Sequence, residues 1–122
     1  MPQQRLLVVE DDESVRSLAV RALASGGYAI DSAADGEEGL AMIEAAGGAY
    51  DLVVSDIRMP ALDGISMAKA AAARFPDLKI LLMTGYAEQR ERAADLSGII
   101  IDVLQKPFQL AQLRGAVASA LG

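Results

Sequence analysis

The chain has no cysteine, no histidine and no tryptophan. Those absences remove whole chemistries: zinc sites, cysteine nucleophiles, Ser-His-Asp triads, disulfides and haem ligation by the usual residues. Chemistry is left to carboxylates, hydroxyls, Lys, Arg and the backbone, and any metal must be a hard, oxygen-preferring one. Long apolar runs are missing too. Met1-Pro2-Gln3-Gln4-Arg5 leads into only four apolar residues, Leu6 to Val9, too few for a signal-peptide core or a membrane span. A cytoplasmic protein without membrane attachment is expected, and the lack of cysteine agrees with that compartment. Basic charge is also short, with 11 Lys and Arg against 17 Asp and Glu and a net charge of −6. Nucleic acid and anionic lipid are captured by clustered Lys and Arg, so neither is an expected partner.

What is present suits one domain over residues 1–122. The length is near the commonest domain size, and 52% apolar content argues against disorder. No repeat, low-complexity tract or linker interrupts it. Short β-rich runs alternate with helical patterns. Leu6 to Val9 reads as a strand. Val15, Leu18, Ala19, Ala22 and Leu23 then recur at helical spacing, in a helix that starts at Asp12 or Glu13 and stops at Gly26-Gly27. Tyr28 to Ser32 reads as a second strand, Asp35-Gly36 as a turn, and Glu37 to Ala46 as a helix ended by Gly47-Gly48. Leu52 to Val54 forms a third strand ending at Ser55 and Asp56. An Ala-rich helix over Leu62 to Arg74 follows, closed by Pro76. Leu78 to Met83 and Ile99 to Leu104 read as the fourth and fifth strands, with a marginal polar helix over Ala87 to Leu96 between them. A final helix carries Leu110, Leu113, Val117 and Leu121.

Five strands alternating with five helices predict an α/β domain with a parallel sheet. Right-handed crossovers put all strand C-termini on one edge, where open α/β sheets bind ligands. Strand one delivers Glu10 and Asp11 there, strand three Asp56, strand four Thr84 and strand five Lys106. Strand two delivers only Ser32, Ala33 and Ala34. Taken singly, each residue has an ordinary explanation: an acidic helix start, a turn Asp, a β-branched strand end, a solvated Lys before a proline. Chance does not readily place all of them at the ends of four strands. Carboxylates a few ångströms apart repel, and a divalent cation removes that cost. Such an ion would also shield an incoming phosphoryl group from Asp56, and carboxylates are nucleophiles for phosphoryl groups. Phosphoryl transfer needs chiefly alignment and charge neutralisation, which Lys106, Thr84 and the cation could supply.

Leu7-Val8-Val9-Glu10-Asp11, Ser55-Asp56-Ile57-Arg58-Met59-Pro60, Asp63-Gly64, Met83-Thr84-Gly85 and Lys106-Pro107-Phe108 together resemble the CheY-like response regulator receiver domain. The resemblance covers essentially the whole chain. It implies a flavodoxin-like, doubly wound (βα)5 fold whose five-stranded parallel sheet has the order 2-1-3-4-5. It implies that Asp56 is the phosphoacceptor. Glu10, Asp11, Asp56 and the backbone carbonyl of Arg58 would hold Mg²⁺ (or Mn²⁺), and Thr84 and Lys106 would bind the phosphoryl oxygens. In the family the Lys106-Pro107 bond is often cis, and Gly64 would serve a backbone turn that side chains disfavour. The implied donor is a sensor histidine kinase or a histidine phosphotransfer protein. The implied output surface runs from the helix after Thr84 to the last helix, toward an unknown downstream protein target. The expected form is a monomer or a phosphorylation-dependent dimer, with no enzymatic turnover beyond self-phosphorylation and autodephosphorylation.

The chain stops at Gly122 directly after the last helix, so a stand-alone receiver is expected to contact its target itself. Candidate outputs are a motor or kinase partner, a phosphate shuttle, or a proteolysis adaptor, the last faintly resembled by Met83 to Arg90. One departure matters: the family commonly has an aromatic residue three positions before the Lys, and here that position is Val103. Tyr86 is either a substitute reporter or an exposed loop aromatic, and Arg58 either stabilises the acyl phosphate or is simply solvated. An Asp-nucleophile phosphohydrolase is the alternative enzyme reading, but it needs a second Asp where Arg58 stands. A flavin or nucleotide binder would need a Gly-rich phosphate loop where Glu10-Asp11-Asp12-Glu13 stands.

Overall fold

Three strands of the sheet are buried over almost their whole length: β1 (Arg5–Val9), β3 (Leu52–Asp56) and β4 (Ile80–Thr84). Such strands are covered on both faces, and each carries an apolar run for that reason: Leu6 to Val9, Leu52 to Val54 and Ile80 to Met83. The structure is a computed structural model and describes residues 3–59, 61–84, 100, 102–105 and 109–122. Around the three central strands lie α1 (Glu13–Ala24), β2 (Ala29–Ala33), α2 (Gly36–Ala45), α3 (Gly64–Arg74), β5 (Asp102–Gln105) and α4 (Leu110–Leu121). The sheet has the order β2-β1-β3-β4-β5, with every pair parallel. This is the expected flavodoxin-like order. The helix expected over Ala87 to Leu96 lies outside the described residues.

Alternation along the strands sorts the core into two layers. Leu7, Val9, Val53, Ile80 and Leu82 face α2 and α3, where they meet Ile43, Ile65, Met67, Ala68 and Ala71. Leu6, Val8, Leu52, Val54, Leu81 and Met83 face α1 and α4, where they meet Ala19, Leu23, Leu113 and Val117. Each of the larger buried side chains contributes roughly 1.5–3 kcal/mol through apolar burial. β2 lies at the sheet's edge and is only partly buried.

Three Asp residues begin three helices. Asp12, Asp35 and Asp63 accept from the backbone N–H of Val15 (3.0 Å), Glu38 (2.8 Å) and Ser66 (2.8 Å). Each such cap is worth about 1 kcal/mol. They also move two of the expected boundaries. α2 starts at Gly36 rather than Glu37 because Asp35 is its cap. α3 starts at Gly64 rather than Leu62, because Asp63 is its cap and Ala61 has φ 67°, outside helical space. β4 begins at Ile80, since Leu78 donates to the Phe75 carbonyl (3.1 Å) and belongs to the preceding turn. Among the described residues, no helix is long and apolar enough to cross a membrane.

The lower part of β1, β2 and β3 carries a polar clasp. The Arg5 guanidinium lies 4.9 Å above the Tyr50 ring and 3.6 Å from the Asp31 carboxylate. The Tyr50 hydroxyl donates to Asp31 (2.7 Å), and the Arg5 backbone N–H donates to Asp51 (2.8 Å). Burial of Tyr50 first, then its bond to Asp31 and the nearby Asp31 charge, push the phenol up to about 12, with Arg5 opposing.

Candidate functional site

β1 and β3 are neighbours, with Val9 in register with Ser55. The residues that follow Val9 therefore meet Asp56, the last residue of β3. One carboxylate oxygen each from Glu10, Asp11 and Asp56 lie within 4.8 Å of one another. Glu10 is fully buried, Asp56 is 8% exposed, and Asp11 is exposed. The cluster is thus walled by the sheet on one side and open to solvent on the other.

Backbone and side-chain donors hold it in place. The Ile57 N–H donates to Asp56 Oδ1 (3.0 Å), and the Ser55 hydroxyl donates to the Asp56 carbonyl (2.9 Å). The Glu10 N–H donates to the Ala33 carbonyl (3.1 Å), and Arg16 Nη1 donates to the Glu10 carbonyl (2.8 Å). Two carboxylates at such a separation repel by roughly 3 kcal/mol at an effective dielectric constant of about 20. Three oxygen donors of one charge, one side of them open, match what a hard divalent ion requires. Mg²⁺ takes one or two carboxylates and fills its other positions with water or phosphate oxygen. The donor set therefore fits Mg²⁺.

The loop after Asp56 is closed at its base by the Gly64 N–H, which donates to the Ile57 carbonyl (2.8 Å). A side chain is disfavoured at Gly64, as expected, and the reason is steric. Gly64 has no left-handed φ; the left-handed residue of this loop is Ala61. Glycine is required at 64 because a Cβ there would lie 2.2 Å from the Asp56 carbonyl oxygen. Close approach, not torsional freedom, selects it.

Thr84 ends β4 and is 1% exposed. Met83 pairs with Asp56 in the sheet, so Thr84 stands one residue beyond the neighbour of Asp56. On its other side Thr84 is in register with Gln105, the residue before Lys106. Arg58 is exposed, two residues after Asp56. Lys106 and Tyr86 lie outside the described residues. The structure thus brings Glu10, Asp11 and Asp56 together and sets Thr84 at the end of the adjoining strand. Sequence reasoning missed Arg16 and Ser55, which hold the backbone of Glu10 and Asp56. Their only signal was position: a basic residue in the first turn of α1, and a small hydroxyl beside a strand-terminal acid.

The chain matches the family described as response regulator receiver domain over residues 6–118. It is 41% identical over 119 residues to the sensor kinase CckA of Brucella abortus, an alignment covering 95% of this chain and 12% of that protein. It is 38% identical over 117 residues to the response regulator MprA of Mycolicibacterium vanbaalenii, covering 96% of this chain and 50% of that protein. The chain therefore spans half or less of the length of these curated relatives. Among solved structures, it is similar to the receiver domain of the hybrid histidine kinase CckA, at 35% identity and a TM-score of 0.82, covering 97% of this chain and 99% of that one. It is also similar to the response regulator TrrA of Thermotoga maritima in complex with Mg²⁺-BeF, at 34% identity and a TM-score of 0.86, with the same coverage. A third similar structure is the chemotaxis response regulator CheY4 of Vibrio cholerae, at 26% identity and a TM-score of 0.87, covering 98% and 99%. Because the match at residues 6–118 takes in the whole sheet from Leu6 onward and every residue of the acidic cluster, the chain belongs to the response regulator receiver domain family.

Proposed function

We propose that this chain is a phosphorelay switch in which Asp56 accepts a phosphoryl group from a histidine kinase or a histidine phosphotransfer protein. The observation that carries the reading is the meeting of the Glu10, Asp11 and Asp56 carboxylates within 4.8 Å, with Asp56 at the terminus of a buried strand. The complex of TrrA with Mg²⁺-BeF is in keeping with it. An Asp56 carboxylate oxygen attacks phosphorus, the phosphorus–nitrogen bond of the partner's phosphohistidine breaks, and its electron pair leaves with the imidazole. An acyl phosphate forms on Asp56. Mg²⁺, or Mn²⁺ in its place, held by Glu10, Asp11, Asp56 and the Arg58 carbonyl, supplies charge neutralisation when bound. The Ile57 N–H holds the carboxylate in a fixed orientation throughout.

Thr84 and Lys106 then bind the phosphoryl oxygens, and their movement biases the segment from Thr84 to α4. That face contacts a protein target, as a monomer or as a dimer formed on phosphorylation. In this reading residues 1–122 form one cytoplasmic receiver unit, acting as a switch, shuttle or proteolysis adaptor rather than as an enzyme with turnover. The test is direct. The protein is incubated with Mg²⁺ and acetyl phosphate, or with beryllofluoride, and followed by intact mass and thermal shift. The expected result is one phosphoryl adduct and a raised Tm, both lost in Asp56→Asn. No response in the parent, or an equal one in Asp56→Asn, overturns the reading.

A further inference from the structure

The start of α2 sits closer to the loop after Asp56 than any side chain would permit. A Cβ on Gly36 would lie 1.9 Å from the Leu62 carbonyl oxygen, 2.7 Å from its carbon and 3.0 Å from Leu62 Cβ. Gly36 is the first residue of α2 and has no left-handed φ, so helical geometry does not demand glycine. Close approach does. One turn on, a Cβ on Gly39 would lie 2.9 Å from Val9 Cγ2 and 3.0 Å from Met67 Sδ. Residues three apart share a helix face, and both glycines are buried. This face of α2 therefore bears on two segments at once. One is Val9, which leads directly into Glu10 and Asp11. The other is Leu62, at the far end of the loop that leaves Asp56.

That loop is tied at its base by the Gly64 N–H to Ile57 carbonyl bond (2.8 Å) and bends through Ala61 at φ 67°. A left-handed alanine persists only where its surroundings over-determine it. The Leu62 carbonyl, one residue further on, is the point at which α2 stands against the loop. The Asp35 side chain accepts from the Glu38 N–H (2.8 Å) and so caps the turn of α2 that bears on the loop.

We propose that Gly36 is a positioning residue for the acidic site. By admitting the Leu62 carbonyl it seats Ala61, Leu62 and Asp63, and so sets where Ile57, Arg58 and Met59 lie relative to the Glu10, Asp11 and Asp56 carboxylates. The inference rests on the reading of that cluster as a Mg²⁺ site.

The test compares two glycine substitutions, one at the start of α2 and one in the turn after it. Gly36→Ala intrudes on the loop. Gly48→Ala intrudes on Phe75, whose Cδ1 would lie 2.5 Å from the new Cβ, at a left-handed φ of 74°. Folding is followed by circular dichroism, Mg²⁺ affinity by calorimetry, and amide exchange at Gly64 by NMR without metal. Gly36→Ala is expected to weaken Mg²⁺ binding about tenfold or more, as loss of a supporting partner does at metal sites, and to speed exchange at Gly64. Gly48→Ala is expected to lower Tm while leaving both readouts unchanged. Gly39→Ala meets the buried Val9 and Met67 side chains and so lifts the same face of α2. If Gly36→Ala does not fold, Gly64 exchange in Gly39→Ala decides the matter, faster exchange being expected and parent-like exchange overturning the proposal. Parent-like Mg²⁺ affinity and Gly64 exchange in the folded variant overturn the proposal, as does an equal loss of affinity in Gly48→Ala. A parent that binds no Mg²⁺ overturns the reading of the cluster itself, and Gly64 exchange still decides whether Gly36 seats the loop.

Discussion

The two ends of the sheet treat charge in opposite ways. At the lower end, Arg5 is placed against the Asp31 carboxylate and the Tyr50 ring, and the Tyr50 hydroxyl closes the set by donating to Asp31. A cation, an acid, a ring and a donor satisfy one another, and nothing further is called for. At the upper end, three carboxylates are drawn together instead. The Ile57 N–H holds the Asp56 carboxylate, and Ser55 and Arg16 hold the Asp56 and Glu10 carbonyls, while the three carboxylates are of one sign. The lower set serves the fold. The upper set departs from the local rule that like charges stay apart, and such departures mark functional sites.

The largest expected effect comes from adding a divalent cation to the upper set. Mg²⁺ at a hundred times its dissociation constant should stabilise the protein by about 2.7 kcal/mol, read as a rise in the denaturation midpoint. A midpoint unmoved by Mg²⁺ would erase the contrast between the two ends. Next, Asp11→Asn should weaken Mg²⁺ binding by at least about tenfold, measured by calorimetry. In metal-free buffer the same variant should stay within about 0.5 kcal/mol of the parent, because Asp11 is exposed. Loss of metal-free stability would mean that Asp11 serves the fold after all.

At the lower end the expected signs reverse. Tyr50→Phe removes the donor to Asp31 and should cost about 1 kcal/mol in denaturant unfolding, with Mg²⁺ affinity unchanged. The pH dependence follows from the raised phenol. A group whose pKa is about 12 when folded and about 10 when free favours the fold fully below pH 10. Stability from Tyr50 should therefore fall as pH rises from about 10 to about 12, and the difference between parent and Tyr50→Phe should shrink across that window. A constant difference would contradict the role of the Tyr50 hydroxyl. The smallest effect belongs to Arg5→Met. Its ion pair with Asp31 joins two half-exposed side chains, so the loss should be under about 1 kcal/mol and should fade further in salt.

Much of this architecture was legible in the chain. Leu6 to Val9, Leu52 to Val54 and Ile80 to Met83 are apolar runs, and the structure places strands on all three. Their acidic or hydroxyl termini were visible as Glu10, Asp11, Asp56 and Thr84, since a strand hands its next residue to the sheet's edge whatever surrounds it. Boundaries were less legible. The start of α3 depended on Ala61 adopting φ 67° and Asp63 turning inward as a cap, and neither is a property of residue type. The reason for Gly64 was not legible for a similar cause: the constraint is the Asp56 carbonyl 2.2 Å from where a Cβ would be, a contact that no residue type announces. Arg16 carried no periodic or motif signal, because its bond to the Glu10 carbonyl exists only once α1 has packed beside β1.

By itself, then, the sequence determined the alternation of elements, the apolar character of the central strands and the identity of the acids at their ends. These follow from periodicity and local propensity, which act within a few residues. Tertiary structure alone decided that the acids meet within 4.8 Å, that Tyr50 reaches Asp31 from 19 residues away, and that Gly36 lies against Leu62. Those are contacts between segments distant in the chain, and they exist only because the β2-β1-β3-β4-β5 order and the packing of α2 and α3 on one face bring the segments together.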